Sequence, residues 1–202
     1  IEYSQPYDYP AAQLAEIVQQ NQLVQVLFNL PAGNWEAGER GIACLPDRVD
    51  EFKSGVHQAI SYAKALGNHL INCLAGIKPK DVPEALAFET LVANLRYAGR
   101  ELQAAGLTLV VEPINSFDMP GFFLNTSTAA MNAIEATGDA NIKLQYDIYH
   151  MQRMEGELSS TIERLFPRIG HFQCAGVPGR TEPDLGEINY DQLFKLIDRL
   201  GY

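Results

Sequence analysis

The chain has 202 residues, 47% of them apolar, and a formal net charge of -10. That length buries one sizeable core but falls short of two ordinary domains, and the acidic balance argues against nucleic acid, whose recognition rests on Lys and Arg meeting phosphates. No apolar run approaches the roughly 18 residues of a membrane-spanning helix, and three cysteines without CxxC spacing speak against a disulfide framework or structural zinc and fit a reducing, cytoplasmic setting.

A strand stub at residues 1–3 opens the chain, which starts with Ile1 and shows no signal-peptide pattern. A helix over 10–21 follows, with Pro10 in its first turn. The apolar run 23–29 reads as a buried strand. A helix over 46–66 ends at Gly67, and a strand spans 69–74. A helix over 84–105 ends at Gly106, where a left-handed cap residue is common. A strand over 107–112 leads to a helix over 126–137, with Asn125 to Thr128 as candidate N-caps. A strand over 142–147, a helix over 156–166, a strand over 169–174 and a helix over 190–200 complete the chain.

This alternation predicts parallel βαβ units, in a TIM barrel or a doubly wound sheet. No GxGxxG follows any strand, so the dinucleotide-binding version loses ground. A closed barrel of eight strands needs two more than are counted here. The expected fold is α/β, a TIM (β/α)8 barrel in one domain over residues 1–202. It would be incomplete, with one strand–helix unit before Ile1 and the last strand after Tyr202.

Three strands end in a group able to bind metal: Glu112, Asp147 and Gln173. In a barrel those ends converge on one mouth, where the active site sits. Side chains alternate faces, so Gln145 joins Asp147 and His171 joins Gln173 on one face. A packed apolar interior would not take those polar pairs. Two carboxylates and an amide are hard oxygen donors, suited to Mg2+ or Mn2+. Taken singly, a strand-end Glu is more often a helix cap or ion-pair partner, and an Asp before a loop is ordinary turn chemistry. His150 sits in a βα loop, where function concentrates, while His57 and His69 read as structural.

The longer motifs carry a resemblance. Residues 112–115 (EPIN), 145–156 (QYDIYHMQRMEG), 170–173 (GHFQ), 186–190 (GEINY), 28–33 (FNLPAG) and 38–43 (GERGIA) resemble the hydroxypyruvate isomerase family of xylose-isomerase-like TIM barrels, nearly end to end. The resemblance implies one divalent metal held by Glu112, Asp147 and Gln173, and by a second glutamate on an eighth strand beyond Tyr202. The two glutamates form the family's acid–base pair, which makes Glu112 catalytic. His150 and Arg180 fall where relatives contact substrate. The implied reaction interconverts hydroxypyruvate and tartronate semialdehyde through an enediolate. The implied partner is a small hydroxy or keto acid, with no nucleic acid and no membrane, and with room for a homo-oligomer. The nearest alternatives are a 2-oxo-tetronate isomerase or a ketose 3-epimerase. Further off stand an abasic-site endonuclease, disfavoured by four histidines and the negative charge, and a non-catalytic sugar-acid-binding barrel.

Overall fold

Apolar runs become parallel strands, and amphipathic stretches become helices laid back over them. A computed structural model describes residues 1–202. In chain order the elements are β1 (Glu2–Tyr3), α1 (Ala11–Gln20), β2 (Leu27–Asn29), α2 (Val49–Leu66), β3 (Leu70–Cys73), α3 (Glu84–Ala104), β4 (Thr108–Val111), α4 (Ser127–Thr137), β5 (Ile142–Asp147), α5 (Ile148–Met154), α6 (Leu158–Leu165), β6 (Ile169–Gln173) and α7 (Tyr190–Leu200). The strands lie side by side in that order, every pair parallel.

In a flat six-stranded sheet the outer strands would stand about 24 Å apart. Here the Glu2 side chain on β1 hydrogen-bonds His171 and Gln173 on β6. The sheet therefore curls, and alternate side chains of its strands converge inside it. This is the barrel arrangement anticipated above, with six strands of it present.

The outer face carries the main core. Phe52, Val56, Ala59 and Ala63 form one buried stripe on α2, and Leu91, Leu95, Ala98 and Leu102 another on α3. Steps of four, three and four residues keep each stripe on a single helical face. Each large aliphatic side chain so buried contributes about 1.5–3 kcal/mol. No helix is long and apolar enough to cross a membrane.

Two elements differ from expectation. The second strand covers only Leu27–Asn29, leaving Leu23 and Val24 44% and 72% exposed. Its outer neighbour β1 offers only Glu2 and Tyr3 as partners, so the residues ahead of Leu27 have no ladder to join. A short helix, α5, follows β5 with no intervening loop.

The loops after β2 and β3 cross closely. The Cys44 N–H donates to the Ala75 carbonyl at 2.8 Å. Gly41 (φ 110°) and Gly76 (φ 102°) make the crossing possible. A Cβ on Gly41 would sit 2.3 Å from the Leu74 carbonyl oxygen, and one on Gly76 2.4 Å from the Gly41 carbonyl oxygen. Both the backbone conformation and the space exclude a side chain. Gly41→Ala should cost about 3 kcal/mol and lower Tm by roughly 6–12 °C. Calorimetry checks this; an unchanged Tm would mean that the loops part freely.

Candidate active site and metal centre

The polar strand ends meet at the C-terminal mouth of the barrel. Glu112 follows β4 directly, Asp147 ends β5, Gln173 ends β6, His150 lies in the first turn of α5, and Arg180 lies in the loop after β6. A cavity of about 300 Å³ opens there, and Glu112, Gln145, His150, Gln173 and Arg180 line it.

Asp147 uses its two oxygens differently. Oδ1 accepts from the Tyr149 and His150 backbone N–H groups at 2.8 and 3.4 Å, capping α5. Oδ2 points into the site, 3.5 Å from His150 Nε2 and 3.6 Å from the Arg180 guanidinium. The bland role and the site role of this aspartate coexist, one on each oxygen.

Glu112 is buried. Its Oε2 accepts from Asn72 Nδ2 at 2.9 Å, and its Oε1 faces His150 Nε2 at 3.7 Å. Burial, reinforced by the like charge of Asp147, pushes its carboxyl up to about 8. Asn72 is itself fully buried and gives its other N–H to Asn29 Oδ1 at 3.0 Å, so it holds Glu112 firmly.

The protonation of His150 follows from its neighbours. Burial lowers its pKa, favouring the neutral ring. Asn115 turns its backbone N–H (3.5 Å) and its Nδ2 (2.7 Å) to His150 Nδ1. The Asn115 amide cannot be reversed, because its Oδ1 already accepts from the Phe117 and Asp118 N–H groups. The two fixed Asn115 donors make Nδ1 the acceptor and put the proton on Nε2, so the half-exposed Arg180 guanidinium, 3.3 Å from Nε2, does not donate to it. Toward the cavity, His150 is a hydrogen-bond donor.

Ligand atoms of Glu112, Asp147 and His150 lie within 4.8 Å of one another. The tautomer just assigned withholds a lone pair from the cavity at His150 Nε2, which leaves the two carboxylates as the charged oxygen donors. The buried atoms Asn72 Oδ1 and Gln145 Oε1 find no hydrogen-bond partner. Acceptor oxygens here outnumber donors, and two carboxylates face each other with only a half-exposed arginine nearby. That surplus fits a hard divalent cation. Gln173 lines the same cavity, its Oε1 accepting from Gln145 Nε2 at 2.9 Å.

Sequence reasoning missed Asn72, Asn115 and Glu2. Asn72 lies inside an apolar strand and Asn115 in the loop beyond Glu112, and neither position announces a partner. Glu39, in one of the motif loops, is a structural tie: it pairs with Arg48 at 2.7 Å and caps the Asn34 N–H.

The family described as xylose isomerase-like TIM barrel matches this sequence over residues 1–202. The chain belongs to that family. It is 51% identical over 202 residues to the hydroxypyruvate isomerase of Escherichia coli (strain K12), covering all of this chain and 78% of that protein. It is 43% identical to the 2-oxo-tetronate isomerase of Cupriavidus necator, with coverage of 100% and 78%. Among solved structures, a Brucella melitensis protein described as an AP endonuclease, family 2, superposes with a TM-score of 0.97 at 39% identity, over 100% of this chain and 78% of that one. An L-ribulose 3-epimerase superposes with a TM-score of 0.77 at 23% identity, covering 100% and 66%, a likeness of fold alone. The xylose isomerase-like assignment makes the curled sheet part of a TIM barrel and the chain an enzyme.

Proposed function

We propose that the protein is a hydroxypyruvate isomerase, with Glu112, Asp147 and Gln173 holding one divalent cation, Mg2+ or Mn2+. The supporting observation is the pair of buried carboxylates, Glu112 and Asp147, facing a donor histidine at the barrel mouth. The 51% identity to an enzyme of that name supports the choice of substrate.

Hydroxypyruvate carries a ketone between a CH2OH and a carboxylate. Isomerisation takes a proton from the hydroxymethyl carbon and returns one to the former ketone carbon, while the hydroxyl proton passes to the other oxygen. Glu112, Asp147 and Gln173 would hold the cation, whose chemistry when bound would be Lewis acidity toward the negative charge that builds up on the substrate oxygens. Glu112 moves the carbon-bound proton through Oε1, its Oε2 being held by Asn72. His150 donates from Nε2 to a substrate oxygen. Arg180, 53% exposed and stacked over the Tyr149 ring at 5.1 Å, pairs with the substrate carboxylate. The resemblance gives the second proton-transfer role to a glutamate on an eighth strand.

The deciding experiment follows isomerisation of hydroxypyruvate with and without Mg2+ or Mn2+ after chelation, beside four- and six-carbon substrates. Metal-dependent turnover of hydroxypyruvate supports the proposal. Faster turnover of the four-carbon 2-oxo acid would move the assignment to 2-oxo-tetronate isomerase, the activity named for the 43% identical relative. Arg180→Met should raise KM for hydroxypyruvate about 10–100-fold, the worth of one charged hydrogen bond, with a smaller change in kcat. Steady-state kinetics check this, and an unchanged KM would remove Arg180 from substrate binding.

A further inference from the structure

β1 sends one carboxylate across the inside of the curled sheet to β6. Glu2 Oε2 accepts from Gln173 Nε2 at 2.5 Å, and Glu2 Oε1 meets His171 Nε2 at 2.6 Å. An ionised carboxylate can only accept hydrogen bonds. The Gln173 amide must therefore turn its NH2 toward Glu2 and its oxygen the other way. That oxygen lies against Gln145 Nε2, at the wall of the cavity that Glu112 also lines. The choice matters because the two ends of an amide have nearly the same shape, yet only the oxygen can bind a hard cation. A Gln173 turned the other way would present N–H protons to the cation.

We propose that Glu2 is a positioning residue for the metal centre, holding the Gln173 amide from across the barrel so that its oxygen is the atom offered to the cation. This rests on the reading above that Gln173 is a ligand. His171 completes the device. Its side chain is 9% exposed, and its hydrogen bond to Glu2 Oε1 leaves Oε2 for Gln173. His171, the partner of Glu2, is buried, and Glu2→Gln keeps the side-chain length and one acceptor oxygen at that position.

The test is a double-mutant cycle on Mn2+ affinity, measured by calorimetric titration and by the Mn2+ electron paramagnetic resonance signal. It uses the unaltered protein, Glu2→Gln, Gln173→Ala and the double variant. Gln173→Ala keeps both carboxylates, so its weaker binding stays measurable. Glu2→Gln should weaken Mn2+ binding about 10–100-fold, as loss of a residue that orients a ligand does. The same substitution should have no further effect once Gln173 is gone. Unchanged affinity in Glu2→Gln overturns the proposal. An equal loss in both backgrounds also overturns it, because Glu2 would then act through its charge or the fold and not through Gln173. Failure of the unaltered protein to bind Mn2+ overturns the metal reading itself, and appears before any substitution is made. Thermal melts of the metal-free proteins verify folding, and Glu2→Ala carries the same cycle if Glu2→Gln does not fold.

Discussion

Glu112→Gln should lower kcat for isomerisation by about 10²–10⁴-fold, the usual contribution of a positioned acid–base group, while the protein stays folded. Glutamine keeps the length of the side chain and an oxygen for the Asn72 N–H at the position now 2.9 Å away. It cannot carry a proton between carbons. Metal affinity should also fall, since a charged ligand becomes neutral. The metal-free variant should nonetheless melt no lower than the unaltered protein at neutral pH, and higher above it, because a buried carboxylate beside Asp147 is replaced by an uncharged group. Activity and metal-free melting separate the two effects. Turnover within tenfold of the original would remove Glu112 from proton transfer. A large drop in Tm would mean that its role is structural.

The second expected result concerns pH. Burial, then the charge of Asp147, raises the folded-state pKa of Glu112 above its value of 4.5 in a free chain. A group raised on folding binds its proton more tightly in the native state. Its stabilising contribution is complete below the unfolded pKa and is lost as pH rises through the folded one. Without metal, the protein should therefore lose stability between about pH 5 and pH 8, by an amount on the order of a few kcal/mol. A saturating divalent cation should cancel the trend, because it neutralises both carboxylates. Melts across that range in chelator and in Mn2+ check the sign, with Glu112→Gln as the control lacking the titrating group. A metal-free Tm that rises over this interval would show that Glu112 is ionised at little cost.

The sequence shows the barrel through the alternation of apolar runs and amphipathic stretches, and shows the site through the polar residue that ends a run. Glu112, Asp147 and Gln173 were legible for that reason: each stands at the C-terminal end of a strand, and Gln145 and His171 add a second polar group on the same face of theirs. His150 was legible through its place just after the fifth strand, where the loops of such a fold concentrate function. α5 was not, because it begins at the residue after β5, and Asp147 supplies the cap that a loop residue usually provides. The apolar stretch before Leu27 was over-read, since strand formation needs a partner and β1 supplies only two residues. Glu2 was invisible for a different reason. A single acidic residue in a two-residue strand resembles any surface glutamate until the curl of the sheet brings β6 to it. Asn72 and Asn115 act through contacts 40 and 35 residues away in the chain, a separation at which local pattern carries no information.

Asp147 gives the barrel mouth an unusual economy. The oxygen that starts α5 and the oxygen that faces His150 and Arg180 are two ends of one rigid group, so order and charge at this point share a single support. His150 rides on the helix that Asp147 begins. Removing the aspartate side chain should therefore displace the histidine as well as the charge, and the loss would look larger than that of one charge. Asparagine, which can still cap a helix but carries no charge, is the replacement that would pull the two apart. The same coupling ties the entrance of the barrel to the proposed site: whatever loosens the first turn of α5 also shifts Asp147 Oδ2 and His150, with no message needing to travel through the core.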